Sequence, residues 1–187
     1  MNQADEHKNM IALVATKLGP ELLQEMAFVG GCTTALLLTD EVTKAGVRHT
    51  EDVDLIVHVL SVREWYQLRE ELQQKGFKEV GLDAGSMPQC AMKLGKLRVD
   101  FMPDDPAILG FSNPWYTDAL RTADPFVLSA NLTIRLIKPE YFLATKLVAY
   151  IGRGQDDPMS SQDIEDVLNL FDGREEVIAE MAAAPKE

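Results

Sequence analysis

The stretch Thr50-Glu51-Asp52-Val53-Asp54-Leu55-Ile56-Val57-His58-Val59 decides how this chain is read. From Val53 to Val59 it is a β-branched and apolar run, the composition of a buried strand. Two carboxylates enter it at i and i+2. Strand side chains alternate faces, so Asp52 and Asp54 point the same way. Like charges held side by side are costly unless a cation lies between them, and a divalent metal is the obvious candidate. A third carboxylate, Asp100, lies in a second strand-like run, Leu97-Arg98-Val99-Asp100-Phe101-Met102. Upstream, Phe28-Val29-Gly30-Gly31-Cys32-Thr33-Thr34 is an apolar run broken by two glycines, a bend that suits backbone amides closing on a phosphate.

Working outward, the N-terminal residues to Leu18 place Ile11, Val14 and Leu18 at helical spacing. Gly19-Pro20 ends that helix and starts a short second one with Leu22, Leu23 and Met26. Ala27–Val29 reads as a strand, Cys32–Thr39 as the opening of a helix, and Asp40–Thr50 as a polar loop. Ser61-Val62-Arg63-Glu64 is a capping box for a helix carrying Trp65, Leu68 and Leu72, with Gly76 at C′. Met87–Leu94 and Leu97–Met102 form a hairpin around Gly95-Lys96. Pro103–Pro125 is a long excursion with a short helix at Trp115–Arg121, and strands follow at Phe126–Leu128 and Thr133–Ile137. Pro139 opens a helix running to about Ile151, with Leu143, Leu147 and Tyr150 as its buried stripe. After a loop at Gly152–Pro158, Ser160–Phe171 is a helix with Ile164, Val167, Leu168 and Phe171 inward; Met181–Glu187 is a frayed tail. The expected fold is α+β (α/β), a small mixed sheet flanked by helices. It is read as one domain: N-terminal helices over 1–26, a sheet core with the acidic residues over 27–137, and C-terminal helices over 138–187.

The 187 residues are 46% hydrophobic, enough for a real core, and no apolar run approaches the ~20 residues of a membrane span. The polar N-terminus lacks the order of a secretory signal. Two cysteines, Cys32 and Cys90, give neither a disulfide framework nor zinc spacing, so a cytoplasmic setting is expected. The net charge of −12 disfavours extended duplex DNA as a partner but leaves room for a small basic patch.

Diglycine, then Asp-x-Asp in a strand, then a lone Asp in a later strand resembles the polymerase-β-like nucleotidyltransferases. Within that superfamily the chain is most similar to the AbiEii/AbiGii-type toxin nucleotidyltransferases. The likeness rests on Val29–Thr33, Thr50–Leu55 and Val99–Phe101, then Lys138–Lys146, Arg153 and Ser161–Asp166. It implies a nucleotidyltransferase using an NTP (ATP among them) with Mg²⁺ or Mn²⁺. Asp52 and Asp54 would hold metal on the triphosphate, and Asp100 would complete a second site. Gly30, Gly31, Thr33 and Thr34 would contact phosphates at a helix N-terminus. Cys32 stands where relatives often carry serine. Lys146 and Arg153, seven apart, would grip triphosphate or acceptor, with Asp163 and Asp166 orienting them. The implied partners are an acceptor RNA such as tRNA, or a protein, and an antitoxin, in a toxin-antitoxin or phage-defence role.

Plainer readings stand beside these. Gly30-Gly31 also fits an ordinary strand-to-helix turn. Lys146 also fits a snorkelling surface lysine, and Asp163 a capping-box acid after Ser160. Trp115 and Tyr116 fit base stacking or, more simply, an apolar anchor. His58 fits a packed histidine. Two further functions remain open: transfer to a small cationic acceptor of the antibiotic type, and a nucleotide-binding module without catalysis.

Overall fold

The computed structural model describes residues 2–80, 89–153 and 157–185. Helix α1 spans Gln3–Glu25, capped by Asn2, whose side chain accepts the Asp5 amide. It kinks at Gly19 (φ 76°), as the Gly19-Pro20 pair predicts. Strand β1 (Met26–Val29) follows and is buried along its whole length. The bend after it yields a 3₁₀ turn, Gly31–Thr33, and a single turn, α2 (Thr34–Leu37), rather than the longer helix expected. Asp40–Thr50 is not all loop, because Asp40 caps a short helix α3 (Glu41–Ala45) through the Thr43 amide.

Strand β2 (Asp52–Val57) carries the two aspartates. Helix α4 (Val62–Gln74) is capped by Ser61 and closes before Gly76 (φ 98°), which has no Cβ to strain that left-handed turn. A two-residue strand β3 (Lys78–Glu79) precedes the hairpin β4 (Ala91–Leu94) and β5 (Leu97–Pro103). The first residues of the expected Met87–Leu94 arm lie outside the described residues, as does part of the 152–158 loop. The excursion holds α5 (Pro106–Leu109) and α6 (Tyr116–Thr122), and β6 (Asp124–Ser129) and β7 (Leu132–Leu136) form a second hairpin. Helices α7 (Pro139–Gly152), α8 (Gln162–Gly173) and α9 (Val177–Ala183) complete the chain. Helix α9 replaces the first part of the expected frayed tail. It buries Val177 and is tied down by the Arg174–Glu180 pair at 2.6 Å.

The sheet is mixed, with seven strands in the order β3-β4-β5-β2-β1-β7-β6. Central β2 runs antiparallel to β1 and parallel to β5. Helix α1 packs on β1, β2 and β7, and α6 on β1 and β2. Phe28, Leu55, Phe101 and Phe142 are among the side chains that fill the core. No helix among the described residues is long and apolar enough to cross a membrane.

Candidate active site

Parallel pairing of β2 with β5 sets the centre of the site. Asp54 is in register with Asp100, and Asp52 with Arg98. In-register residues of paired strands share a face, and so do residues two apart on one strand. Asp52, Asp54, Arg98 and Asp100 therefore project together. Asp52 and Asp54 are half-buried, while Asp100 is only 6% exposed. The Thr50 hydroxyl donates to Asp52 Oδ1 at 2.5 Å. Arg98 meets Asp100 with both ends of its fork, Nε to Oδ1 at 2.8 Å and Nη2 to Oδ2 at 2.5 Å. Asp54 has no such partner among the described residues. Burial, then the charges of Asp52 and Asp100, push its carboxyl up from 3.8 to about 7.

The diglycine serves this arrangement directly. Gly30 (φ 77°, ψ −174°) adopts a conformation essentially closed to other residues. A Cβ built there would sit 1.9 Å from Asp54 Oδ2. A Cβ on Gly31 would sit 2.3 Å from Arg48 Nη2. The space beside these glycines thus admits a carboxylate and a guanidinium of the chain itself. Thr33 and Thr34 are buried, and their hydroxyls are committed to Gly30 O at 2.8 Å and Asp166 Oδ1 at 3.3 Å. As the chain stands, neither hydroxyl proton is free for the phosphate contact expected of it. The helix behind them is one turn long, so it offers little dipole as well.

Beside the acidic face lies an ion network from α7 and α8. Asp166 is fully buried. It accepts Arg48 Nε at 3.1 Å and Nη2 at 2.9 Å, and it pairs with Lys146 Nζ at 2.6 Å. Asp163 bridges Lys146 at 3.2 Å and Arg153 at 2.6 Å. The sequence places Lys146, Arg153, Asp163 and Asp166 together, and the structure brings them together. Lys146 is a buried ion-pair partner rather than a snorkelling lysine. Asp163 is no capping acid, because Ser161 caps α8 through the Ile164 amide and Asp163 turns inward. Arg153 is the outward cation of the group, with its side chain 70% exposed.

Sequence reasoning missed Arg48, Arg98 and Thr50. Arg98 was legible, since it stands two residues from Asp100 on one strand. Arg48 sits in a segment without periodicity. Tyr116 also borders the site: its hydroxyl donates to Met102 Sδ at 3.1 Å, and burial, then the charge of Asp54, raises its phenol. Trp115 packs on Tyr141, ring centroids 6.3 Å apart, which is the anchoring arrangement. His58 stands beyond the end of β2, half exposed and paired with Asp104 at 2.8 Å, so it is neither packed nor near the carboxylates in register. Burial, then Asp54, raises the Cys32 thiol, and burial, then Asp100, pushes Cys90 to about 12. Both thiols are therefore neutral.

Four cations, Arg48, Arg98, Lys146 and Arg153, face five carboxylates, Asp52, Asp54, Asp100, Asp163 and Asp166. The unbalanced charge falls at Asp54. No group of three or more acidic, histidine or cysteine side chains among the described residues is already arranged around a metal position. The donor chemistry nevertheless fits a divalent ion at Asp52 and Asp54, where an unpartnered carboxylate is pushed toward protonation by its neighbours. Asp100 fits only once Arg98 releases it. A cleft of about 880 Å³ between α1 and the β6–β7 hairpin shares no residue with this face, and its walls are largely apolar.

No family model matches the chain, and no curated protein matches it. Among solved structures, it is similar to an antigenic nucleotidyltransferase-like protein from Paracoccidioides brasiliensis. The two share 26% identity and superpose with a TM-score of 0.58, over 91% of this chain and 78% of the other. The fold is nucleotidyltransferase-like. The mixed sheet that sets Asp54 beside Asp100 is thus part of an architecture shared over most of both chains.

Proposed function

We propose that this chain is a metal-dependent nucleotidyltransferase, moving a nucleoside monophosphate from an NTP to an acceptor. The observation that carries the reading is the lateral Asp54–Asp100 pair, with Asp52 on the same face, in a nucleotidyltransferase-like fold. Mg²⁺ or Mn²⁺ bound at Asp52 and Asp54 would supply charge neutralisation for the triphosphate. The chain's own residues do the rest. Asp100, freed from Arg98, takes the proton of the acceptor hydroxyl. The acceptor oxygen then bonds to the α-phosphorus as the bond to pyrophosphate breaks. Arg98 and the exposed Arg153 are the cations positioned to meet phosphate oxygens. Lys146 and Asp166, both buried, hold the frame. The AbiEii/AbiGii-type resemblance points to RNA such as tRNA, or a protein, as acceptor, and to a toxin role with an antitoxin partner.

The test is incubation with each labelled NTP, Mg²⁺ or Mn²⁺, and total RNA. Label should appear on one acceptor class with wild type and vanish with Asp54→Asn while the circular dichroism is unchanged. Full transfer by that variant would end the proposal. The Arg98 clamp on Asp100 favours a second reading, a nucleotide-binding module without catalysis. Calorimetric binding of Mg–NTP with no transfer to RNA, protein or aminoglycoside acceptors would select it.

A further inference from the structure

Helix α1 reaches the site through one buried imidazole. His7 is 1% exposed, and its Nε2 accepts the Thr50 amide at 3.3 Å. An accepting Nε2 carries no hydrogen, so the ring proton of neutral His7 is on Nδ1. Nδ1 is buried without a partner among the described residues. A buried, unmet donor is destabilising, because it gives up its bond to water and gains none in return. A leucine would fill the same space without that cost but would leave the buried Thr50 amide without its acceptor, so stability alone does not favour a histidine here. What histidine adds is the acceptor at Nε2.

That acceptor holds a segment with two duties. Residues 47–50 form no helix or strand of their own. Arg48 reaches across to Asp166, and the Thr50 hydroxyl donates to Asp52 Oδ1. Gln3, one turn before His7, meets His49 Nδ1 at 2.9 Å. The first turns of α1 thus grip the segment that enters β2. Burial, then the charges of His49 and Arg48, lowers the His7 pKa and keeps the ring in its accepting form.

We propose that His7 is a positioning residue: by fixing the Thr50 backbone it aims the Thr50 hydroxyl, and through it the Asp52 carboxylate, for cation binding. The proposal rests on the nucleotidyltransferase reading for what Asp52 is aimed at, but the alignment of Asp52 is measurable without it. His7→Leu removes the acceptor. His7→Gln keeps an acceptor oxygen near the Nε2 position. Thr50→Val removes the hydroxyl that the acceptor aims.

Two readouts are taken on the full chain. The first is the Asp52 side-chain carboxyl ¹³C signal. It should move alike in His7→Leu and Thr50→Val and stay near wild type in His7→Gln. The second is Mn²⁺ affinity by electron paramagnetic resonance. Loss of an outer partner of a metal ligand typically weakens binding 10–100-fold, so His7→Leu and Thr50→Val should each lose about tenfold, and the double variant no more than either. Thermal stability of His7→Leu should change little, since the unmet Nδ1 donor it removes offsets the Thr50 amide it leaves unmet, a split from the metal affinity that a purely structural histidine would not give. An unmoved Asp52 signal in His7→Leu overturns the proposal, as does a lower melting temperature with wild-type Mn²⁺ affinity. If wild type binds no Mn²⁺, the metal-dependent reading fails, and the carboxyl signal alone decides whether His7 aligns Asp52.

Discussion

Burial, then Asp52 two residues before it and Asp100 across the strand pair, hold the Asp54 carboxyl at about 7 against an ordinary 3.8. The native state therefore keeps a proton on Asp54 between about pH 4 and 7, where the unfolded chain has lost it. The contribution of this carboxyl to folding stability then falls as pH rises through that window. Three units correspond to no more than about 4 kcal/mol. Asp54→Asn removes the charge at constant shape. It should stabilise the protein at pH 8 in metal-free buffer and leave it unchanged at pH 3.5, measured by urea unfolding. A stability difference between the two proteins that does not grow from pH 4 to 8 would contradict this. Gly30→Ala acts on the same contact, since its methyl would meet Asp54 Oδ2 in a backbone conformation that costs about 1–3 kcal/mol for a side chain. The variant should lose at least that much stability, together with metal binding. Asp100 was grouped with Asp52 and Asp54 by the family resemblance, since its place beside Asp54 depends on strand pairing, whereas Asp52 and Asp54 were legible because a strand repeats every two positions and so puts them on one face. The same rule reaches Arg98. It does not reach Arg48, whose contact with Asp166 closes over 118 residues of chain.

Among the elements, α7 and α8 turn charge inward where the sequence suggests oil. The apolar positions of α8 predict Ile164, Val167, Leu168 and Phe171 as its buried face. The helix instead buries Asp163, Asp166, Val167 and Leu170, leaving Leu168 58% and Phe171 45% exposed. Helix α7 likewise buries Lys146 and exposes Leu147. The rotation follows the ion network. Once Lys146 and Arg48 meet Asp166, the face that carries them must point in, and hydrophobic periodicity alone cannot see a satisfied buried charge. The network also separates two kinds of cation. Asp166→Ala would leave Lys146 and Arg48 buried without their shared carboxylate, a loss of about 3–5 kcal/mol. Arg153→Ala removes an exposed partner and should cost under about 1 kcal/mol, while raising the KM for NTP. Denaturant unfolding and initial-rate kinetics together check both. An Asp166→Ala variant as stable as wild type would mean that the network does not fix the helix faces.

For the whole molecule, the strands themselves were largely legible but their order was not. β1 lies between β2 and β7, and its partner Leu136 on β7 is far along the chain from Phe28, a pairing that no local pattern encodes. Net charge, in contrast, is complete in the sequence, and it bears on the acceptor. A chain at −12 repels a polyanion on approach, and salt screens that repulsion over about 10 Å at 0.1 M. If the acceptor is RNA, transfer at subsaturating RNA should hold level or rise between 50 and 200 mM KCl. A basic nucleic-acid-binding surface does the reverse, because salt competes with its released counterions. A small polycationic acceptor would be drawn to this chain, and its rate should fall over the same range. Initial rates with each acceptor across that salt series separate the two classes. A steep fall with RNA would show that a local cluster around Arg153 and Arg98, rather than the field of the whole chain, governs the encounter.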